Sequence, residues 1–158
     1  MADRAAEWIK NVVTNLDGEA SGELCARVLQ SCGRRCAPEK LIAQAKKIFD
    51  DSEDIGEFLA RFSEIFDALH IEDNAVTVVY PQCYCPNIQS LDKEEIPDIY
   101  CECSVGWIRE VFEQAIGRPV TVERLETVVA GDAGCRFKIT LESSTTGRPE
   151  GQAARTAR

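Results

Sequence analysis

The sequence predicts an α+β domain in which N-terminal helices pack on a small antiparallel sheet, with one helix inserted between strands. Three observations lead to this prediction. Apolar residues recur at helical spacing up to residue 69, segments after residue 75 change to the alternation and β-branched content of strands, and one further helical segment separates those strands. The chain has 158 residues, which fits one domain, and we expect that domain to span residues 1–142.

Two amphipathic helices are predicted first. Residues 3–16 carry apolar side chains at helical spacing, and the second helix begins after Ser21, a good N-cap, and reaches about residue 35. We expect their apolar positions to face inward: Trp8, Ile9, Val12, Val13, Leu16, Leu24, Val28 and Leu29.

Two more helices follow. Pro38 suits the first turn of a third helix, where its missing N–H has no cost. Asp54 and Glu57 have the spacing of a capping box ahead of a fourth helix, whose apolar pattern extends to Leu69. His70, the only histidine, is then expected at a helix end, with solvent exposure as the default.

The second half begins with a strand and a helix. Residues 75–80 are rich in β-branched side chains and predict a strand, and residues 99–116 have a helical period that Gly117 ends.

A hairpin closes the domain. Residues 118–129 and 135–142 are predicted to pair antiparallel around the turn 131–134, with a bulge near Arg124 and Leu125, where the alternation slips. In the last strand one face is expected to be buried, formed by Cys135, Phe137, Ile139 and Leu141.

Charge and hydropathy exclude several classes of protein. The formal net charge of −9 argues against a protein that binds nucleic acid by neutralising phosphate, so no nucleic-acid partner is expected. No apolar stretch is long enough for a membrane span, and no secretory signal is visible at the N-terminus, so we expect a cytoplasmic protein. Residues 143–158 have no apolar period and are expected to form a disordered polar tail.

Eight cysteines are many for a chain without a visible secretory signal. In a reducing compartment, clustered thiols bind a metal, carry out redox chemistry or are buried as small apolar groups. They fall into two groups along the chain: Cys25, Cys32 and Cys36, then Cys83, Cys85, Cys101, Cys103 and Cys135.

The second group is the candidate metal site. Cys83 and Cys85 share a face if the preceding strand persists, and Cys103 lies near a predicted helix start, where the helix dipole lowers a thiol pKa. Four thiolates suit zinc, and an iron–sulfur cluster uses the same ligands. The open alternatives are a reactive thiol without metal and buried structural cysteines. Glu102 is a candidate for a mixed site.

The remaining candidates have simpler interpretations. Cys25, Cys32 and Cys36 share a helical stripe with Leu29 and are expected to fill a seam of the core. Tyr84 and Trp107 lie next to the cysteine pairs and are core residues or, in the functional interpretation, the ligand-binding wall. No Gly-rich phosphate loop is present, so no nucleotide cofactor is predicted.

Three short motifs of the C-terminal half, about residues 75–142, carry a resemblance to known families: Cys85-Pro86, Tyr100-Cys101, and Gly131-Asp132-x-x-Cys135-x-Phe137. With these motifs the segment resembles L-2-amino-thiazoline-4-carboxylic acid hydrolase-like proteins and the 4-vinyl reductase domain family, which includes sensor domains of phenol-responsive activators. The resemblance implies helices packed on an antiparallel sheet around a small-molecule or lipid pocket.

One departure from the family pattern bears on the metal. Many 4-vinyl reductase domains that bind zinc place a second cysteine eight positions before the last one, and here that position is Thr127. Of the two family positions, only Cys135 holds a cysteine in this chain. The Cys-x-Cys pairs could supply the missing ligands from other elements.

Three classes of function follow. The preferred hypothesis is a small-molecule-binding domain with a cysteine-rich, metal-binding site, with zinc as the expected ion. The enzyme alternative is a thiol- or metal-dependent hydrolase of a small heterocycle, in which a metal-activated water attacks the substrate. The third is a structural subunit that forms a homodimer through exposed helix faces.

Overall fold

The computed structural model describes residues 3–141. Four helices precede a four-stranded antiparallel sheet, and a fifth helix lies between its second and third strands, which confirms the predicted α+β class. The helices are α1 Arg4–Glu19, α2 Gly22–Cys36, α3 Glu39–Asp50, α4 Ile55–Ser63 and α5 Glu102–Ile116. The strands are β1 Leu69–Glu72, β2 Ala75–Tyr80, β3 Val120–Glu126 and β4 Cys135–Leu141. The segment 143–158, expected to be a disordered tail, lies outside the described residues.

The first hairpin corrects the sequence analysis. Helix α4 ends at Ser63 rather than near Leu69, and β1 pairs with β2 with Leu69 opposite Val78. His70 therefore lies on a strand and not at a helix end. Asp73 and Asn74 form the turn, with φ of 48° and 64°. Two successive residues with positive φ give a turn whose twist matches that of a hairpin, which explains why the chain reverses here.

The second hairpin is confirmed. β3 pairs antiparallel with β4, and the register shifts between Arg124 and Glu126, at the predicted bulge. β3 ends at Glu126, however, rather than continuing to residue 129. The backbone N–H of Thr127 donates to Oδ2 of Asp132 at 2.8 Å, and such local side-chain bonds replace the ladder of the strand.

The main core lies between α5, α4 and the sheet, whose strand order is β1-β2-β4-β3. Its largest fully buried side chains are aromatic: Phe58, Phe62, Phe112 and Phe137. Phe58 stacks on Phe62 with ring centroids 5.5 Å apart, and Phe112 meets Phe62 edge-on at 5.7 Å. These contacts fix α5 across the sheet and thereby set where its N-terminus lies.

Helices α2 and α5 cross with their backbones in direct contact. A Cβ on Gly33 would lie 1.8 Å from the carbonyl oxygen of Cys103, and a Cβ on Gly106 would lie 2.0 Å from that of Gln30. No side chain fits in either place, so both glycines are required by the close approach. The crossing holds the first turn of α5, and with it Cys103, against α2.

The outer faces of α1 and α2 correct a second expectation. Trp8, Val12, Leu24 and Val28 were expected to face inward, but all four are exposed, and 66% of Trp8 is accessible. Val13 and Leu29, which were also expected to face inward, are buried as predicted. Within residues 3–141 no helix is long and apolar enough to cross a membrane.

Candidate functional site: a cysteine cluster under the β2–α5 connection

The connection between β2 and α5 covers a second apolar cluster, separate from the main core. This cluster joins α1, α2, the connection itself and the turn after β3. Its buried members are Ala6, Val13, Leu29, Ile88, Leu91, Ile96, Tyr100, Cys101 and Val129. Cys83, Cys85 and Cys103 pack against it and are partly buried. Four of the five candidate metal ligands thus share one apolar region.

Cys83 and Cys85 do not lie on a strand. β2 ends at Tyr80, so the prediction that a persisting strand aligns both thiols is wrong. Pro86 begins a short 3-10 turn directly after Cys85, and the connection bends there. The Sγ of Cys85 lies 3.2 Å from the hydroxyl of Tyr100, which ties this part of the connection to the start of α5.

Cys101 and Cys103 lie on either side of the first residue of α5. The helix begins at Glu102, so Cys101 is its N-cap, and Cys103 is inside the first turn. Burial raises the pKa of both thiols to about 12, and neighbouring cysteines add to the shift at each. The expectation that the helix dipole lowers the pKa of Cys103 is wrong, because desolvation of the thiolate outweighs it.

Cys135 opens β4 opposite Tyr80, at the edge where the connection begins. The backbone N–H of Val128 lies 3.5 Å from its Sγ. Burial raises the pKa of Cys135, and the nearby Cys83 and Cys85 thiols raise it further. Burial is the main cause of the raised pKa of Cys101 too, and Cys135 and Cys83 add to that shift.

The thiols are close without forming a ready-made ion site. Within residues 3–141 no three His, Cys, Asp or Glu side chains are grouped so that they could hold a metal ion as they stand. The zinc or iron–sulfur site therefore stays a prediction, as do the individual ligands. Burial raises the pKa of Cys101 and of Cys103 to about 12, which favours the protonated form of these two thiols in the metal-free chain.

Glu102 serves a different purpose from the expected mixed metal site. Its Oε1 accepts from Nε of Arg124 at 3.1 Å, and its Oε2 accepts from Nε2 of Gln30 at 2.8 Å. Arg124 also pairs with Asp98, just before α5. Both carboxylate oxygens are thus engaged, and Glu102 holds the first turn of α5 between α2 and β3.

A polar network continues along the α2–α5 crossing, and the sequence analysis missed it. Arg34 of α2 donates to Glu110 at 2.7 Å and to Glu113 at 2.6 Å. Arg109 adds contacts to Glu113 and Gln30 at 3.3 and 3.2 Å. The i, i+3 spacing of Glu110 and Glu113 was the available signal, since it places both on one helix face.

The two aromatic residues that are candidates for ligand binding, Tyr84 and Trp107, have different surroundings. Tyr84 is exposed, and its ring meets Tyr80 edge-on at 6.0 Å. Trp107 is partly buried on α5 and packs against Phe66 at 5.9 Å as part of the main core. Their role in ligand binding stays a prediction.

The first cysteine group does not form one buried seam. Cys25 is fully buried, and its thiol lies 3.3 Å from the carbonyl oxygen of Leu16. Cys32 and Cys36 are exposed, so the stripe straddles the edge of the α2 contact surface. Cys36 nevertheless lies near enough to Cys103 to raise the pKa of that thiol, and it is the one member that approaches the second group.

Comparison with known proteins gives one family and one structure. The model of a family described as "Family of unknown function (DUF6144)" matches residues 1–146. Among curated proteins none matches. A solved structure similar to this chain is the "crystal structure of the phenol-responsive sensory domain of the transcription activator PoxR with Phenol". It shares 14% sequence identity over 88% of this chain and 75% of that chain, with a TM-score of 0.48.

Proposed function

The chain belongs to the DUF6144 family, and we propose that it is a small-molecule-binding domain in which the cysteine cluster holds a soft divalent metal ion, zinc being the expected one. The observation behind the metal is that Cys83, Cys85, Cys101 and Cys103 lie in or pack against one apolar cluster, and that Cys135 opens β4 opposite Tyr80, where the β2–α5 connection leaves the sheet. Cys85 and Cys103 are the further candidate ligands at its rim.

The candidate cysteines come from segments that are distant in sequence. β4 is held next to β2 by the ladder, so Cys135 lies where the connection leaves the sheet. The contact between α2 and α5 fixes the start of α5 on the other side. Thiolates from three elements around a shared space are typical of structural zinc sites, because such ions link segments that a small core cannot hold alone.

Thr127 supports a rebuilt site. In the 4-vinyl reductase family, which the C-terminal half resembles, many zinc-binding members have a cysteine at this position. Here Thr127 is buried, and its hydroxyl accepts from the backbone N–H of Ala130 at 3.2 Å. In the proposal Cys83, which packs against the same apolar cluster as Cys101, supplies the sulfur that Thr127 lacks. The proposed core of the site is therefore Cys83, Cys101 and Cys135.

Metal binding would change the protonation of the cluster. Burial raises the pKa of Cys101 to about 12, and a metal binds thiolates, so ligation by Cys101 releases its proton to the solvent. It also requires side-chain rotation, because the sulfurs do not form an ion site as they stand. We expect the ion to close the connection onto the second apolar cluster and to add its binding free energy to that of folding.

The metal is tested by elemental analysis of anaerobically purified protein and by reconstitution with Co²⁺, whose thiolate charge-transfer absorption reports sulfur ligation. The proposal expects about one ion per chain and loss of that absorption in C101S and C135S. Cys32 is the matched control, because it is an exposed cysteine outside the cluster, and C32S should retain the ion. Metal-free wild-type protein that also fails to take up Co²⁺ would overturn the proposal.

The small-molecule part has a separate test. Tyr84 and Trp107 are its proposed ligand-binding residues, so a ligand found by thermal-shift screening should lose affinity in Y84A. The hydrolase alternative requires an open coordination position at the metal, and a structural site is closed by four protein ligands. Counting sulfur ligands by X-ray absorption separates the two: four sulfurs exclude a metal-activated water.

The exposed faces of α1 and α2 favour dimer formation as a second candidate function. Leu24 and Val28 line a groove of about 290 Å³ on α2, with Arg27 and Arg35 at its edges. Neither arginine forms an ion pair within residues 3–141. Antiparallel packing of α2 against a second copy would bring Arg35 to the exposed Glu23 at the other end of the partner helix.

Analytical ultracentrifugation tests the dimer. V28D should yield a monomer, because it places a charge at the centre of the apolar stripe. L125D is the control, since Leu125 is equally exposed on β3, away from the groove. A wild-type chain that is monomeric at high concentration would exclude this function.

A further inference from the structure

A cavity lies at the opposite end of α5 from the cysteine cluster. It measures about 640 Å³ and opens between the α3–α4 connection and the C-terminus of α5. Phe49, Ile55 and Ile116 form its apolar wall. Cys103 and Ile116 are 13 residues apart on one helix, so the cavity is about 20 Å from the cluster. None of the five candidate metal ligands lines it.

Arg118 lines this cavity and carries a buried donor. The residue follows Gly117, which ends α5 with a φ of 70°, and it lines the cavity. Its Nε is buried and has no hydrogen-bond partner within the described chain. A buried N–H without an acceptor costs about 1–3 kcal/mol, and native proteins pair nearly all such groups. Arg118 also forms no ion pair within residues 3–141, so its charge is available to an anionic group.

The facing edge of the cavity is acidic, and one of its carboxylates is available. Asp50 pairs with Lys46 at 3.3 Å, and Asp54 accepts the N–H of Glu57 at 2.9 Å as the cap of α4. Glu53 lies between them and has no ion pair among residues 3–141. The cavity therefore presents an uncommitted carboxylate and an uncommitted guanidinium on either side of an apolar wall.

From this arrangement we infer that the cavity between the α3–α4 connection and Arg118 is a binding site for an apolar zwitterion, with an α-amino acid bearing a large apolar side chain as the ligand class. The ligand carboxylate pairs with Arg118 and satisfies its Nε, as guanidinium groups pair with carboxylates. The ammonium group faces Glu53, and the apolar side chain covers Phe49, Ile55 and Ile116. The site is independent of the metal proposed for the cysteine cluster.

The test is two-dimensional NMR titration of the full chain with L-phenylalanine. We expect saturable shifts of the backbone amides of Phe49, Ile55 and Ile116. Two probes lack one charge each: phenethylamine has no carboxylate, and 3-phenylpropionate has no ammonium group. Each should bind at least about tenfold more weakly than phenylalanine: phenethylamine leaves the buried Nε of Arg118 unpaired, and 3-phenylpropionate loses the ion pair with Glu53.

Variants complete the test. R118Q and E53Q should each weaken phenylalanine binding about tenfold or more, and E64Q, an exposed glutamate beyond α4, should not change it. C101S should also bind phenylalanine normally, because the cavity lies apart from the cluster.

The inference is overturned if phenylalanine produces no saturable shift, if phenethylamine binds as tightly as phenylalanine, or if R118Q binds like the wild type. If R118Q loses the folded spectrum, R118K decides instead: it keeps the charge but not the Nε donor and should bind more weakly.

Discussion

The Sγ of Cys85 lies 3.2 Å from the hydroxyl of Tyr100, and this contact joins the β2–α5 connection to the turn that leads into α5. Tyr100 is buried, and its burial, together with the hydrogen bond to Cys85, raises the pKa of the hydroxyl. The hydroxyl therefore stays protonated and can donate to the sulfur. The pair fixes one end of the cysteine cluster in the metal-free chain.

Replacing Tyr100 with Phe should destabilise the metal-free chain by about 1 kcal/mol, because Cys85 loses its partner in a partly buried site. Alkylation of Cys85 should also become faster, as measured by mass spectrometry of labelled peptides. Y84F is the control, since Tyr84 is exposed. Equal labelling of Cys85 in the two variants would contradict this role of Tyr100.

Replacing Gly33 with Ala should be severely destabilising, by about 3 kcal/mol or more, because the new Cβ would overlap the carbonyl of Cys103 and force α2 and α5 apart. The midpoint of urea unfolding measures the loss. The matched control is G22A, at the first position of α2, where no atom lies within 4 Å of the added Cβ. A G33A chain as stable as G22A would show that the helices do not touch there.

Glu113 should make the stability of the fold depend on acid pH. Burial alone would raise the pKa of this carboxyl, but hydrogen bonds from Arg34 and from the backbone N–H of Val120 outweigh it and lower the pKa. A folded-state pKa below the unfolded value of about 4.3 adds stability above that pH, which disappears as the pH falls through the folded-state pKa. E113Q should therefore cost about 1–2 kcal/mol at pH 7 and progressively less below about pH 4.

Urea unfolding of wild type and E113Q across this pH range checks the prediction. E64Q is the control, since Glu64 is exposed on the far side of α4. A difference between wild type and E113Q that stays constant from neutral to acid pH would show that the carboxylate charge is not what stabilises the crossing.

The first hairpin turn gives a test of backbone conformation. Asn74 has a φ of 64°, which asparagine and glycine adopt more readily than other residues. N74A should cost about 1 kcal/mol, and N74G should be close to neutral. Thermal unfolding of the two variants measures this difference. If alanine is tolerated as well as glycine, the turn has another conformation in solution.

Most of the fold could be predicted because its signals are local. The cap of α4 at Asp54, the stop at Gly117 and the bulge after Arg124 each follow from one or two residues, and the structure has all three. β1 was missed because it is only four residues long and follows α4 closely, so its apolar residues extend the helical pattern. The turn at Asp73 and Asn74 was the signal that would have separated them.

The site was harder to predict because its chemistry depends on burial. The spacing of Cys101 and Cys103 showed that both lie at the start of a helix, and a helix start alone lowers a thiol pKa. Only the packing of the connection shows that desolvation reverses the direction. The exposure of Trp8 and Leu24 could not be predicted from amphipathic spacing either. The apolar stripe on each helix is wider than the surface that the helix buries, so part of the stripe faces solvent.

The contact between Gly33 and Cys103 makes α2 a mechanical link between the inside and the outside of the protein. Side chains between two helices can absorb a small movement by changing rotamers, but two backbones in contact cannot. Any event that shifts Cys103, such as oxidation or ligation of its sulfur, must therefore displace α2 as a unit. The opposite side of α2 carries the exposed residues Leu24 and Val28. A chemical change at the partly buried Cys103 thiol would therefore move an apolar surface that another molecule can contact.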